Sequence, residues 1–589
     1  MSIVRLFDIL YYQLHNDPLE AALSMKTNNQ WVSISTAELA NRVNQVSRGL
    51  LKYGIKPGDK IALITSGNRT EWQIMDFAIQ QIGAISIPIY PTISKEDTIF
   101  IFNNTQINFC FVSDENLYLK IKEIKGECPD LVSIFTFEEV KGAPHWLEIA
   151  DMGKDDSTQY EVESLKDMIK ADDIVTIIYT SGTTGRPKGV MLSHANIVSN
   201  VLSIDPQIVI PTKNCRTLSF LPICHVFERM VNYVFIYRSY PIYYAESIEK
   251  IAENVREVKP HLMTVVPRLV EKVYNAIYQK GISSGKLKSQ IFLWALKVGQ
   301  KYVPFTNRNW KHLLADTLVF KKWREGLGGD FICMICGSAS LLPDLNRLFA
   351  AAGIPILEGY GLTETSPVIA VNGLSKKLFR LGTVGTVIQN TKVKIAEDGE
   401  ILVKGTGIFK SYYNDDEKTH DAFTEDDWFK TGDIGRLEEG FLTITDRKKE
   451  IFKTSGGKYI TPQITENYLQ QSRFIEQAMV VGDGKKMPCA LIQPDFEFIR
   501  KYISYKPLPL NEKASLQEIA ESPIIKERIM KEVEKTNHLL GKWEKIKKIE
   551  LTPEIWSIEG GELTPTLKLK RRDIKKKYIE LYNRLYMDC

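Results

Sequence analysis

The sequence predicts an α/β fold with mostly parallel strands, continued by a small β-barrel and a smaller α+β C-terminal domain. Three observations predict it. Helical and strand patterns alternate from the N-terminus to about residue 370, the rhythm of strand–helix–strand units. The apolar, β-branched run "DIVTIIYT" (residues 173–180) reads as a central strand. From "GTVGTVIQNTKVKIAEDGEILVKG" to "FLTITDRKKE" the texture changes to short strands, glycines and tight turns, and it changes again after Asp446. A chain of 589 residues is too long for one core, and roughly two to four units are expected.

Taken in order, "TAELANRVNQVSRGLLKYG" carries apolar residues at helical spacing and stops at Gly54. "KIALIT" is a strand, "TEWQIMDFAIQQIG" a helix ending at Gly83, and "AISIPIY" another strand. The polar block from Lys141 to Asp173 reads as a connector. The strand 173–180 feeds the loop "YTSGTTGRPKGV" (179–190), after which "KGVML" is again a strand and a helix starts near Ser193. Past the β-rich segment, "AMVVGDGKKMPCALIQP" reads as a hairpin and the ending is helical and basic. The charged run "DRKKE" marks a domain boundary, with residues 1–445 on one side and 446–589 on the other.

Composition narrows the class. Apolar residues make up 44% and charged residues 25%, as in a soluble globular protein, and a net charge of +4 does not support bulk nucleic-acid binding. The eight cysteines are scattered, Asp8 interrupts any signal-peptide core, and no run reaches about 18 apolar residues. A reducing cytoplasm is the expected compartment. Cys333-x-x-Cys336 lies in an apolar run with no second metal-ligand pair, so both are expected as core residues.

The loop is built for phosphate. Gly182, Gly185 and Gly189 let backbone amides approach an anion, and Thr180, Ser181, Thr183 and Thr184 add hydroxyl donors. Lys188 adds a compact positive charge. A Walker loop would open a helix, whereas this chain leaves through a strand.

The core "TSGTTGRPKG" resembles the phosphate-binding signature of the adenylate-forming superfamily, which includes acyl-CoA synthetases, luciferases and the adenylation domains of peptide synthetases. The resemblance implies the superfamily's fold, a large N-terminal domain of two α/β subdomains plus a small β-barrel, with a mobile C-terminal domain. "EGYGLTETSP" (358–367) resembles the next motif: Tyr360 would lie against adenine, Thr363 would touch the α-phosphate and Glu364 would hold Mg2+, with Glu358, Gly359 and Gly361 in the same nucleotide-binding stretch. "CGSAS" resembles the strand end closing the adenine pocket through Gly337, Ser338 and Ala339. In "WFKTGDIG" the implied ribose ligand is Asp433.

"TDRKKEIFKTSGGKYITP" resembles the hinge, where Arg447 would contact the nucleotide and rotation near Asp446 and Lys448 would swing the C-terminal domain. Gly456, Gly457 and Lys458 of "SGGKY" would line the route of the CoA thiol. For the adenylating lysine, "GELTPTLKLKRRD" departs from the commonest pattern, because no glycine precedes either lysine. Lys568, three residues before Arg571, fits the family spacing; Lys570 is the alternative.

"LPICHVFERM" (221–230) resembles a segment of long-chain fatty acyl-CoA synthetases in which the histidine, here His225, guards the acyl site. The aromatic run after it either lines an acyl channel or belongs to an ordinary core. Residues 271–330 carry eleven Lys/Arg against four Asp/Glu; a helix resting on an anionic membrane surface and a basic solvent face both fit. The implied catalytic set is Lys568, Thr363, Lys188 and His225, and the implied cofactors are ATP, Mg2+ and coenzyme A. The implied reaction activates a long-chain fatty acid as acyl-AMP and passes it to CoA. A ligase that loads an acyl carrier protein is the alternative. A nucleic-acid partner is not expected, and a homodimer is left open.

Overall fold

Seven strands form the sheet from which the phosphate loop leaves. Their order is Ser411–Tyr412, Lys188–Ser193, Ile174–Thr180, Ile85–Ile89, Lys60–Ile64, Phe109–Val112 and Ser133–Thr136. The last five run parallel, and Lys188–Ser193 is antiparallel to both of its neighbours. The computed structural model describes residues 2–180, 186–208, 210, 215–506, 508–564 and 568–587.

Helices cover this sheet, as a parallel sheet requires. The helix Thr36–Tyr53 begins where the Ser35 side chain accepts the Glu38 amide and ends at Gly54, whose φ of 100° is left-handed. The helix Thr70–Gln81 is buried almost all round, Trp72, Met75 and Phe77 included. A second sheet holds Leu23–Thr27, Ile242–Tyr244, Thr217–Ser219, Leu262–Val265, Cys333–Cys336 and Ile356–Gly361 in consecutive parallel pairs, with Val368–Val371 added antiparallel. Cys333 and Cys336 are fully buried in it, as core residues should be.

The block 141–173 is more than a connector. It contains the helices Trp146–Met152 and Gln159–Met168. Trp146, Ile149 and Ala150 are buried at helical spacing, a pattern too short to stand out among polar neighbours. The first of these helices lies so close to Thr36–Tyr53 that a Cβ on Gly49 would stand 1.8 Å from the Ile149 carbonyl oxygen.

By internal contacts the chain separates into two compact units: Met1–Lys394, Leu402–Lys430 and Leu437–Thr443 form one, and Ile395–Ile401, Thr431–Arg436 and Ile444–Cys589 the other. The glycine-rich run supplies short strands such as Thr391–Ile395, Glu400–Gly405 and Phe429–Glu438. A closed barrel is not among the strand pairings of the described residues. In the smaller unit the expected hairpin is present as Ile475–Val481 against Cys489–Pro494, and Ile549–Leu551 joins it in parallel. Helices Pro462–Leu469, Phe496–Tyr505 and Pro523–Asn537 contribute Leu469, Ile499 and Ile529 to the core with Ile492 of that sheet.

Candidate active site

In the larger unit, Thr180 ends its strand paired with Lys188. Ser181, Gly182, Thr183, Thr184 and Gly185 lie outside the described residues. Gly189 is buried. The Lys188 ammonium sits 4.6 Å from the centroid of the Tyr412 ring, and the Tyr412 hydroxyl donates to Glu364 Oε1 at 2.8 Å. Tyr412 is buried, and burial together with the Glu364 carboxylate raises its phenol well above the ordinary range. Three segments thus meet on one aromatic ring. Sequence reasoning missed Tyr412, because nothing in "KSYYND" sets it apart from a core tyrosine.

Glu364 lies on the short 3-10 turn Thr363–Thr365, and its carbonyl oxygen accepts the Phe409 amide at 2.8 Å. Thr363 is buried and Tyr360 half-buried. The chain folds back so tightly here that a Cβ on Gly361 would be 1.6 Å from the Pro367 carbonyl oxygen. Gly359 pairs with Val371 just before the strand irregularity at Tyr360 and Gly361. Glu358 turns inward: Oε1 accepts from Asn346 Nδ2 at 3.0 Å and Oε2 from the Leu341 amide at 3.2 Å. Burial pushes its carboxyl up to about 7. It thereby supports the segment after Gly337, where Gly337 is buried near the Phe227 ring while Ser338 and Ala339 are exposed.

His225 caps the helix Val226–Tyr237, its Nδ1 accepting the Phe227 amide at 3.2 Å. In the neutral ring that bond leaves the proton on Nε2. Behind it lies a polar core that the sequence did not reveal. Arg229 donates to Asp76 at 2.6 Å, to Thr176 of the strand leading into the loop and to Ser86, and Tyr233 bonds the same aspartate. Glu228, fully buried, accepts hydroxyls from Ser219 and Thr264 at 2.5 Å each, and burial raises its carboxyl to about 7. The helix bearing His225 is therefore fastened to the strands around it. Beside Lys188 a cavity of about 350 Å³ is also lined by Asn104, Arg186, Tyr413, Asp415 and Lys418.

In the smaller unit, Asp433 is buried and its Oδ1 accepts from Arg447 Nε at 3.2 Å. Lys448 pairs with Asp398 and Glu400, both at 2.6 Å. Asp446 is buried; its Oδ1 accepts the Arg447 amide, and Oδ2 has no hydrogen-bond partner among the described residues. Burial, then the nearby Glu450 and Glu466 carboxylates, raise its carboxyl to about 7. Gly456, Gly457 and Lys458 are exposed on the turn between the strands Phe452–Lys453 and Tyr459–Ile460. Lys568 is exposed beside the antiparallel bridge between Leu563 and Leu569, and the Thr564 amide donates to its carbonyl oxygen at 2.8 Å. Lys570 pairs with Asp573 at 3.1 Å.

The chemistry of these groups suits nucleotide activation. Glu364 is a hard oxygen donor whose carboxylate has lone pairs beyond the one taken by Tyr412, and Mg2+ prefers one or two carboxylates with phosphate oxygens. No group of three or more metal-ligating side chains occurs among the described residues, so a cation here would rely on phosphate.

Comparison with known proteins gives the same direction. The family described as AMP-binding enzyme matches residues 12–413, and the AMP-binding enzyme C-terminal domain matches residues 449–588. The long-chain-fatty-acid–CoA ligase FadD15 of Mycobacterium bovis is 33% identical, over 97% of this chain and 95% of that protein. Long-chain-fatty-acid–CoA ligase 5 of Rattus norvegicus is 32% identical over 95% of this chain and 85% of that protein. Among solved structures, the adenylation domain of a carboxylate reductase from Mycobacterium chelonae aligns with a TM-score of 0.76 at 20% identity, covering 100% of this chain and 92% of that one. ATP-bound MatB from Rhodopseudomonas palustris aligns at 0.71 and 20%, covering 99% and 100%. At these identities the structural likeness establishes the fold, an adenylate-forming one. The two family matches and the near-full-length relatives establish the lineage: the chain belongs to the AMP-binding enzyme family.

Proposed function

We propose that this protein is a long-chain-fatty-acid–CoA ligase. The observation that carries the reading is the meeting of Lys188, beside the phosphate loop, and Glu364, of the second nucleotide motif, on the two sides of Tyr412. The acyl class rests on the relatives, which are named as ligases of long-chain fatty acids across their near-full length.

In the first step a carboxylate oxygen attacks the α-phosphorus of ATP. The bond to the β-phosphate oxygen breaks, giving acyl-AMP and pyrophosphate. A carboxylate is already nucleophilic, so the protein's task is to align two anions and neutralise charge. Lys188, Thr363 and Lys568 serve that task, and His225 Nε2–H orients the fatty carboxylate. Lys568 is preferred over Lys570 because it stands three residues before Arg571, the spacing of the family motif. Tyr360 and Gly337–Ala339 would hold adenine, and Asp433 with Arg447 the ribose. Glu364 would hold Mg2+, which supplies charge neutralisation to the phosphates when bound.

In the second step the CoA sulfur attacks the acyl carbonyl carbon, the bond to AMP breaks, and the thiol proton leaves to solvent. Gly456, Gly457 and Lys458 would line the thiol's approach. We place the domain boundary at residues 445 and 446, with rotation near Asp446 and Lys448 separating the two half-reactions. We also place the protein in a reducing cytoplasm, its seven described cysteines all being buried thiols, with residues 271–330 as a peripheral membrane contact.

The test is mass spectrometry of products from ATP, Mg2+, CoA and an equimolar ladder of short to long carboxylic acids. Acyl-CoA peaking at long chains is expected. Acyl-AMP without acyl-CoA would favour a carrier-protein acceptor instead.

A further inference from the structure

A half-buried cation joins the hinge segment to the lysine hairpin. Arg571 opens the helix Arg571–Lys577, three residues after Lys568. Its guanidinium takes Glu466 in a two-pronged grip, at 2.8 Å to Oε1 and 2.5 Å to Oε2, and donates through Nε to Glu450 at 3.2 Å. Glu466 belongs to the helix Pro462–Leu469, is buried, and also accepts the Val480 amide at 2.6 Å. Glu450 comes four residues after Asp446, on the segment read as the hinge. The forked geometry is one that arginine makes and lysine cannot.

The hairpin is closed by bonds of its own. Leu563 pairs with Leu569 across its base, the Lys568 amide donates to Thr564 Oγ1 at 3.0 Å, and the Lys570 amide donates to the Glu562 carbonyl at 2.8 Å. All of these are contacts within the hairpin. Leu563 is buried and Leu569 packs beside it in a core cluster with Trp556 and Tyr578, so apolar contacts also hold the hairpin to its unit. On the C-terminal side, Arg571 adds a polar anchor to these apolar ones. Burial disfavours the guanidinium charge, yet the Glu466 and Glu450 carboxylates more than offset that and raise its pKa.

We propose that Arg571 is a positioning residue for adenylation: gripped by Glu450 and Glu466, it fixes the Lys568 hairpin to the hinge segment, so that the lysine and the hinge move as one piece. This rests on the reading of Lys568 as the adenylating lysine. Because thioester formation is assigned to a different arrangement with Lys568 withdrawn, the clamp serves the first half-reaction and not the second. A purely structural ion pair would serve both alike.

The experiment uses the full-length protein with Arg571→Lys, which keeps charge but loses the fork, and Glu450→Gln, a milder change. Adenylation is followed by pyrophosphate exchange into ATP, thioester formation from supplied acyl-AMP, and folding by thermal melting. A displaced lysine is expected to lower the adenylation kcat by at least about tenfold for Arg571→Lys, with KM for ATP and thioester formation held within about twofold. Glu450→Gln should fall between the variant and the parent. Equal loss in both half-reactions, or none, with only the melting temperature changed, overturns the clamp. Lys568→Ala run in parallel separates the causes: if it spares adenylation, the lysine assignment itself fails and the clamp with it.

Discussion

At the scale of single residues, position in the fold decides what a carboxyl does. Glu228, Glu358 and Asp446 are all acids driven towards neutrality by burial, whereas Glu364 is only half-buried and accepts the Tyr412 hydroxyl. Glu228 gives the cleanest test, because hydroxyls and an amide rather than a cation surround it. Its carboxyl rises from 4.5 to about 7 in the folded protein. The folded state thus holds the proton more tightly than the unfolded one, and the resulting stability is fully present below pH 4.5 and is lost as pH rises through about 7. Glu228→Gln keeps the shape and cannot ionise, and the neighbouring hydroxyls can reverse to meet its amide. Its advantage over the parent should be near zero at about pH 3.5 and grow to the order of 3 kcal/mol by about pH 8, at about 1.4 kcal/mol per pKa unit. Denaturant titrations of both proteins across that range check it, and a difference independent of pH would mean that Glu228 stays charged throughout.

At the scale of elements, legibility followed the range of the contacts. The strand Ile174–Thr180 and its continuation Lys188–Ser193 were readable because a β-branched run and a glycine loop announce themselves locally. The hairpin of the smaller unit was readable for the same reason. Tyr412 and the Arg229–Asp76 pair were not, since each acquires its meaning from a partner far away in sequence. Trp146–Met152 was missed because two helical turns give too few apolar positions to reveal a period. The lysine hairpin lies between these cases: its residues were legible, its anchoring was not. Lys568→Ala is expected to lower adenylation by about a hundredfold or more, the scale of losing a charge aligned with a transition state, while thioester formation from supplied acyl-AMP stays near the parent rate. Lys570→Ala, which breaks only the exposed pair with Asp573, should leave both rates close to the parent. Exchange and thioester assays on both variants decide between the lysines, and a reversal of the two results would transfer the role to Lys570.

At the scale of the whole molecule, a water-insoluble substrate has to be met somewhere, and no described helix is long and apolar enough to cross a membrane. The helices between residues 267 and 326 offer an alternative. Phe292, Ala295, Phe320 and Trp323 face inward as a packed cluster. Outward, the stretch beginning with Trp310–Ala315 and running through Asp316–Phe320 to Lys321–Gly326 exposes Trp310 (68%), Leu314 (44%) and Leu318 (41%) at successive helical turns, with Leu313 beside them. Lys311, Lys321 and Lys322 are exposed on the same stretch, so an apolar stripe is bordered by positive charge. A soluble protein seldom shows water so much aligned apolar surface, and anionic lipid satisfies both parts of it at about 1 kcal/mol per basic residue. The protein should therefore sediment with vesicles containing anionic phospholipid, more weakly with zwitterionic ones, and less as salt is raised. Trp310→Glu with Leu314→Glu should weaken that binding by about tenfold or more while leaving turnover of detergent-dispersed fatty acid unchanged. If the parent protein does not sediment with anionic vesicles at low salt, the stripe is a solvated face and the fatty acid arrives by another route.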